Sequence, residues 1–305
     1  ILPIVRREVS GDSLSTDLHP VIDRIYRGRN VVRIDDLENG LKGLTHFNEL
    51  KGMPKAARML ADAVEQNKKL IIVGDFDADG ATSVTLCMLI LKAFGAEKVD
   101  YLVPNRFEYG YGLSPEIVSL SASYDPSVIV TVDNGISSVS GVQLARDLGI
   151  DVIVTDHHLP GQERPAAYAI VNPNLPESQF ASRALAGVGV AYYLMGALRQ
   201  KLVAQDWFAQ RPLPNLANYL DLVALGTIAD VVPLDVNNRR LVHQGILRIR
   251  AGRCRPGMRA LADIARRSLP TITAQDLAFA LGPRLNAAGR LEDMAIGIKC
   301  LLAEN

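Results

Sequence analysis

The sequence predicts an α/β protein: a mainly parallel five-stranded sheet flanked by helices and followed by a helical region. Short apolar runs alternate with helix-like stretches between residues 70 and 171, as in consecutive βαβ units. After about Ala186 the strand signals stop and only helical patterns follow. The length of 305 residues is typical of one large or two modest domains.

Each element is predicted from its own pattern. The apolar run at residues 70–74 is typical of a strand buried on both faces of a parallel sheet. Ser114, Pro115 and Glu116 provide the N-cap, first-turn proline and first-turn acid of a helix. Further strands are predicted over residues 99–103, 127–132, 152–155 and 168–171. Further helices are predicted over residues 54–68, 80–94, 140–148, 187–204, 215–226, 238–251, 257–267 and 274–281.

The charge is balanced but unevenly placed. Lys and Arg total 33, as do Asp and Glu, and this neutrality by itself argues against a polyanionic partner. However, Arg outnumbers Lys by 24 to 9, and seven arginines against one aspartate fall within residues 248–267. Because Arg binds phosphate as a fork, this stretch indicates a cationic face.

Three carboxylates directly follow the first strand. Asp75, Asp77 and Asp79 alternate with other residues, and in extended backbone such side chains point the same way. They are expected to converge at the carboxyl end of the strand, where a cation would relieve their repulsion. Two alternatives stay open, an EF-hand loop and a solvated acidic turn. The EF-hand is disfavoured because its twelfth position is Leu86 and a strand precedes it.

Acids also follow two later strands. Asp133 ends one, and Asp156, His157 and His158 end the next. Taken alone, Asp133 with the following Asn-Gly is typical of a turn. A lone pair of histidines is typical of surface or helix-capping positions. Their shared position at strand ends favours a site for Mn, Mg or Zn. Asp230 alone is typical of a helix-end carboxylate.

Five spaced motifs together resemble the DHH phosphoesterase superfamily, and within it the bacterial single-strand-specific exonucleases. They are GDFDADG at 74–80, TVDNGIS at 131–137, TDHH at 155–158, ADVVP at 229–233 and GPRLNAAGR at 282–290. The resemblance runs from about Lys69 to the end of the chain.

The resemblance implies two divalent metal ions, Mn or Mg. Asp77 would bind the first and Asp79 the second, and Asp133 would bridge them. His157 and Asp230 would complete the second site, Asp156 would orient His157, and His158 would face the scissile phosphate. Many members carry a His where this chain has Val73, so Asp75 or water must compensate at the first metal.

The implied reaction is two-metal phosphodiester hydrolysis on single-stranded DNA, in the 5′ to 3′ direction, in DNA repair and recombination. Arg290 would act with His158 on the phosphate. Substrate contacts are expected from Asn105, Arg106, Tyr111, Arg284, Asn286 and Arg290, although ordinary loop packing stays open for the tyrosines. A single-strand-binding protein and a helicase are candidate partners of a monomer. A small-molecule phosphoesterase and a non-catalytic scaffold remain as alternatives.

The domain plan follows from the same motifs. Residues 1–205 would form the DHH-type catalytic domain with an N-terminal lead-in, and residues 206–305 a helical connecting region carrying Asp230 and the Arg-rich face. The C-terminal domains of the family are absent, so we expect a catalytic fragment. The longest apolar run is too short to span a bilayer, and three cysteines without a zinc pattern fit a reducing, cytoplasmic setting.

Overall fold

A five-stranded, entirely parallel sheet forms the centre of the molecule, as predicted, with the strand order β2-β1-β3-β4-β5. The computed structural model describes residues 3, 5, 8–9, 11–104, 111–291 and 293–305. The strands are β1 (Leu70–Gly74), β2 (Val99–Leu102), β3 (Val128–Val132), β4 (Asp151–Thr155) and β5 (Ala169–Val171). Every residue of β1 and β3 is buried, which agrees with their uninterrupted apolar sequences.

Alternate residues of the strands enter two different cores. Leu70 and Ile72 of β1 join the larger core, whereas Ile71 and Val73 join the smaller one on the opposite face. The smaller core is covered by two helices that pack on each other, α4 (Pro115–Ala122) and α5 (Val139–Asp147). This division follows from the two-residue period of a strand.

The larger core is covered by many more helices. The helix α3 (Ala78–Ala93) lies at its centre, and it contacts α6 (Gly187–Ala204) and α7 (Leu220–Ala229). Because this core is continuous from α3 into the last hundred residues, the helical region shares it with the sheet. The core does not divide near residues 205–215, so the domain boundary proposed there from the sequence stays a prediction.

The remaining helices are shorter or peripheral. They are α1 (Pro20–Arg27), α2 (Met53–Glu65), α8 (Val236–Arg250), α9 (Pro256–Ile264), α10 (Ala274–Asp276), α11 (Gly282–Leu291) and α12 (Met294–Leu302). A π-helical turn, Leu277–Leu281, joins α10 to α11. Short 3-10 turns occur at Ile34–Leu37, Leu41–Gly43, Phe47–Glu49, Leu216–Tyr219 and Leu269–Thr271. Within the described ranges, no helix is both long and apolar enough to cross a membrane.

One sequence-based expectation is wrong. The polar, Gly-rich segment 282–290 suggests a loop, but it forms the helix α11. The reason is tertiary: its glycines lie where the helix touches its neighbours. A Cβ on Gly289 would come 2.1 Å from the carbonyl oxygen of Phe76, and one on Gly282 would come 3.1 Å from Cβ of Ala229. These glycines allow close packing, which compensates for their low helix propensity.

The contact between α7 and α8 predicts a stability effect. A Cβ on Gly245 of α8 would lie 2.2 Å from the carbonyl oxygen of Leu220. Gly245→Ala should therefore lower the free energy of unfolding by about 1–3 kcal/mol, the usual cost of overpacking. Gly40→Ala is the matched control, because nothing lies within 4 Å of its added Cβ. Denaturant unfolding of both variants measures the difference, and equal stability would contradict the close approach.

Candidate active site

The candidate site lies at the carboxyl edge of the sheet. Asp75 follows β1, Asp133 follows β3 and Asp156 follows β4, so three neighbouring strands each deliver a carboxylate to one place. All three are at least 94 % buried. The carboxyl edge is where open α/β sheets place their ligands, and the structure brings the acids that follow β1 and β3 together there.

The three acids of the first motif do not converge as an extended chain would bring them. Instead the backbone turns at Asp77, whose carboxylate accepts a hydrogen bond from the amide of Gly80 at 2.9 Å and caps α3. Asp79 consequently lies in the first helical turn. Gly80 permits this turn, because a Cβ there would lie 2.4 Å from the carbonyl oxygen of Asp75.

Asp79 is held by the start of α6. Its two carboxylate oxygens accept hydrogen bonds from the amides of Gly187 at 2.7 Å and Val188 at 2.9 Å. Burial raises the pKa of Asp79 despite these bonds. Gly187 is required for the fit, since a Cβ would lie 2.5 Å from Oδ1 of Asp133. The sequence analysis assigned Gly187 no role, although a run of small residues before an apolar helix was the available signal.

Asp133 lies at the centre of the site in an unusual conformation. Its φ of 63° is left-handed, which Asp tolerates better than most residues. The next residue, Asn134, donates from Nδ2 to the carbonyl oxygens of Val73 at 3.1 Å and Val132 at 2.9 Å, tying the ends of β1 and β3 together. Burial and the charge of Asp79 raise the pKa of Asp133 well above its ordinary value.

His157 connects the acids of different strands. Its Nε2 lies 3.0 Å from Oδ1 of Asp133, 3.6 Å from Oδ2 of Asp230 and 3.9 Å from Oδ2 of Asp79. Burial lowers the pKa of His157, which favours the neutral imidazole that ligates metals.

Three groups of three side chains could each hold a cation, with the ligand atoms of a group within 4.8 Å of one another. The first group contains Asp75, Asp77 and Asp133, and the second contains Asp79, His157 and Asp230. The third shares members with both and contains Asp133, His157 and His158. Within the described part of the chain, Oδ1 of Asp133, Nε2 of His157 and Oδ2 of Asp230 are buried and make no contact with hydrogen-bond geometry, although Nε2 lies 3.0 Å and 3.6 Å from the two oxygens. Buried polar atoms in proteins nearly always have a hydrogen-bond partner. These three atoms are two carboxylate oxygens and one imidazole nitrogen, which are ligands suited to divalent metal ions.

Asp156 contacts the ring of His158, and this corrects the expectation that it orients the ring of His157. Its Oδ1 lies 2.7 Å from Nδ1 of His158, and it also accepts from the amides of His157, His158 and Ile136. Burial would raise the pKa of Asp156, but these hydrogen bonds lower it below its ordinary value. The bond from Asp156 in turn raises the pKa of His158, whose side chain is 46 % exposed.

The structure places only some of the expected substrate-binding residues at the site. Tyr111 lies at the site, with its hydroxyl 3.4 Å from Nδ1 of His158 and its ring edge-on to Phe76 and His158. Asn286 accepts from the amide of Ala78 at 2.7 Å, beside the first motif. Asn105 and Arg106 lie outside the described residues.

The two arginines of α11 differ in their contacts. Arg284 donates to the carbonyl oxygen of Ala280 in its own helical segment. Arg290 is exposed, and among the residues that the structure describes it has no hydrogen-bond or ion-pair partner. Arg290 is therefore the better candidate for contact with an anion.

The Arg-rich stretch is less available than its sequence indicates. Arg250 donates to the carbonyl oxygen of Ile272 at 2.8 Å, Arg255 donates to that of Asn218 at 2.8 Å, and Arg267 pairs with Asp276 at 3.1 Å. Arg259 donates to the carbonyl oxygen of Gly252. Several of these guanidinium groups therefore stabilise loops and helix ends instead of forming one open cationic face.

The contact between Asp156 and His158 predicts a change in titration. Asp156→Asn removes the charge that stabilises the imidazolium, so the pKa of His158 should fall. In the unchanged protein the imidazolium stabilises the fold below about pH 6.5, and this stabilisation is lost as the pH rises through the raised pKa of His158. In the variant this stabilisation should be smaller. NMR titration of the metal-free protein measures the midpoint. Asp151→Asn, an exposed change on the same strand, is the control. An unchanged His158 midpoint would contradict the assignment.

Comparison with known proteins agrees with this geometry. Residues 69–227 match the DHH family, N-terminal domain. The chain is 56 % identical over 303 residues to the single-stranded-DNA-specific exonuclease RecJ of Escherichia coli strain K12, a match that covers 98 % of this chain and 52 % of that protein. The chain thus spans about half the length of the curated relatives it matches.

Solved structures show the same fold. An exonuclease RecJ crystal structure bound to manganese aligns with a TM-score of 0.74 and 37 % identity, covering 84 % of this chain and 62 % of that one. RecJ of Thermus thermophilus in complex with Mg²⁺ aligns with a TM-score of 0.63 and 31 % identity, covering 92 % and 35 %. From the matched motifs, the sheet and the clustered acids, we conclude that this chain belongs to the DHH family.

Proposed function

We propose that this chain is the catalytic part of a single-stranded DNA exonuclease that hydrolyses phosphodiester bonds with two divalent ions, Mn²⁺ or Mg²⁺. The observation that carries the proposal is the set of overlapping ligand groups at the carboxyl edge of the sheet. Asp133 belongs to the group of Asp75 and Asp77 and also to a group with His157, whose Nε2 lies 3.0 Å from its Oδ1. Two cations close together would hold a nucleophile and the phosphate between them.

The residues divide naturally between the two ions. Asp77 and Asp133, supported by Asp75, would hold the first ion, and Asp79, Asp133, His157 and Asp230 would hold the second. Val73 points into the smaller core and offers no ligand, so Asp75, whose pKa burial raises to about 7, is the available carboxylate on that side. The bound ions would lower the pKa of a water and neutralise charge on the phosphate.

The chain's other polar groups would act on the substrate. His158 is held in place by Asp156 and is partly exposed, so its imidazolium would donate a hydrogen bond to a phosphate oxygen. Arg290 would add a second charged donor from α11. Tyr111 would contact the nucleotide bound at His158.

The choice of substrate rests on the relatives. RecJ proteins are named as exonucleases specific for single-stranded DNA, and this chain matches them over 98 % of its length. We extend to this chain the 5′ to 3′ direction, a role in DNA repair and recombination, a monomeric state and a cytoplasmic location. Partnership with a helicase and a single-strand-binding protein belongs to the same proposal.

One observation favours a second candidate function, hydrolysis of a small phosphodiester. The main argument against a small phosphodiester substrate is the Arg-rich stretch, and several of its arginines are engaged within the protein. A dinucleotide phosphodiesterase of the same family would use the identical metal site. Comparison of long and short substrates decides between the two.

The first test is digestion of end-labelled single-stranded DNA. With Mn²⁺ the chain should shorten an oligonucleotide of several tens of nucleotides from the 5′ end, and chelation by EDTA should stop it. A dinucleotide and a duplex of the same sequence are the comparison substrates. Preference for the dinucleotide would support the second candidate. No cleavage of any of them with Mn²⁺ would overturn the proposed function.

The second test compares two acids of the site. Asp133→Ala would remove a ligand from both ions, so single-turnover cleavage at saturating Mn²⁺ should fall by more than about 100-fold. Asp75→Ala would remove only a supporting group, and a loss of about 10- to 100-fold is expected. Calorimetric unfolding in EDTA provides the folding control. Equal, mild losses at both positions would remove the bridging role of Asp133.

A further inference from the structure

The exposed aromatic ring of Phe279 is not explained by packing. Phe279 is 80 % exposed, although Leu277 and Leu281, two residues before and two residues after it in the π-helical turn, are fully buried. Large apolar side chains at such exposure lose the gain from burial, and π-helical turns are rare and frequent at functional sites. The turn therefore presents this ring to solvent in a defined direction.

Contacts along the same helical segment place it beside the metal-ligand groups. Gly282 lies against Ala229, the residue before Asp230, and Asn286 bonds the amide of Ala78, next to Asp77. Phe279 precedes Gly282 by three residues, or about 4.5 Å along a helix axis at 1.5 Å per residue. The backbone of Phe279 thus lies within about one helical turn of the point where the segment meets the Asp230 side of the site.

The surface around Phe279 has the chemistry of a nucleotide-binding flank. Phe279, Pro283, Asn286 and Arg290 recur at spacings of four, three and four, so they share one side of the segment. Residues 277–291 contain two arginines and no acid. An apolar ring on a cationic helix complements an anionic backbone that carries aromatic bases.

A second exposed apolar residue lies on this flank. Val231 follows Asp230, is 83 % exposed and has a left-handed φ of 62°, which β-branched residues rarely adopt. Such a conformation costs about 1–3 kcal/mol, and burial of the side chain does not offset it. The Asp230 side of the site therefore presents two apolar side chains outward.

We propose that Phe279 is a base-stacking residue for the single strand whose phosphate lies at the metal-ligand groups, with Val231 extending the apolar surface. This inference rests on the proposed function and deepens it by naming a contact for an unstacked base. Asn286 and Phe279 are seven residues apart, about 10 Å along the helix. At about 3.4 Å per nucleotide in a stacked strand, that separation corresponds to about three nucleotides or fewer. A base stacked in a duplex cannot use this surface, which favours unpaired strands.

The test couples a protein change to a substrate change. Single-stranded oligonucleotides that each carry one abasic nucleotide, at successive positions from the 5′ end, are digested under steady-state conditions with Mn²⁺. For the unchanged protein, one or two of these positions should raise KM by about 5- to 100-fold, the range for losing one stacked base. Phe279→Ala should raise KM for the intact strand by a similar factor and lose that position dependence. Phe279→Trp should restore it.

The control and the contrary outcomes are specific. Leu148→Ala removes another exposed apolar side chain, 51 % exposed beyond the end of α5, and should leave KM and the abasic profile unchanged. All variants should keep the same Mn²⁺-induced rise in melting temperature. If the unchanged protein cleaves single strands but Phe279→Ala keeps the full abasic profile, this inference alone falls. If the unchanged protein does not cleave single strands, the proposed function falls with it.

Discussion

Mutual repulsion of buried carboxylates is the constraint on which the rest of this structure depends. Asp75, Asp79 and Asp133 are nearly inaccessible to water and lie close to one another, and their burial raises the pKa of each. A site of this kind is stable only if backbone amides, an imidazole and cations offset the charge. The neighbouring elements supply the backbone amides and the imidazole, and the ligand groups could hold the cations.

The backbone supplies much of the compensation through close approaches that only glycine allows. The amino terminus of α6 donates two amides to Asp79, and Gly187 at that terminus also leaves space for Asp133. Gly289 brings α11 against the loop that carries Asp77. Asn134 joins the ends of two strands, so the relative position of the acids is set by strand pairing instead of by flexible side chains.

Few positively charged side chains among the described residues are available at the site. Arginines of the 248–267 stretch bind carbonyl groups and acids of their own fold, while Arg290 remains free of described partners near the site. Asp156, a carboxylate that is itself held by three backbone amides, raises the pKa of His158 and so favours its imidazolium form. Cationic groups that face the site are therefore few, and each is oriented by a specific contact or placed by a helix.

The sequence by itself predicted the parallel sheet, because short apolar runs alternate with helical stretches as in consecutive βαβ units. Its spaced motifs also identified the family. Because acids that end neighbouring parallel strands must meet at one edge, the sequence further predicted that Asp75, Asp133 and Asp156 lie together. Only the tertiary structure decided how these side chains are used. It showed that Asp77 caps a helix, that Asp156 contacts His158 instead of the ring of His157, and that 282–290 is a helix. The contacts of the arginines in 248–267 and the exposure of the Phe279 ring were likewise decided there. Hydrogen-bond partners and close glycine contacts join residues far apart in the chain, and local sequence patterns carry no record of such distances.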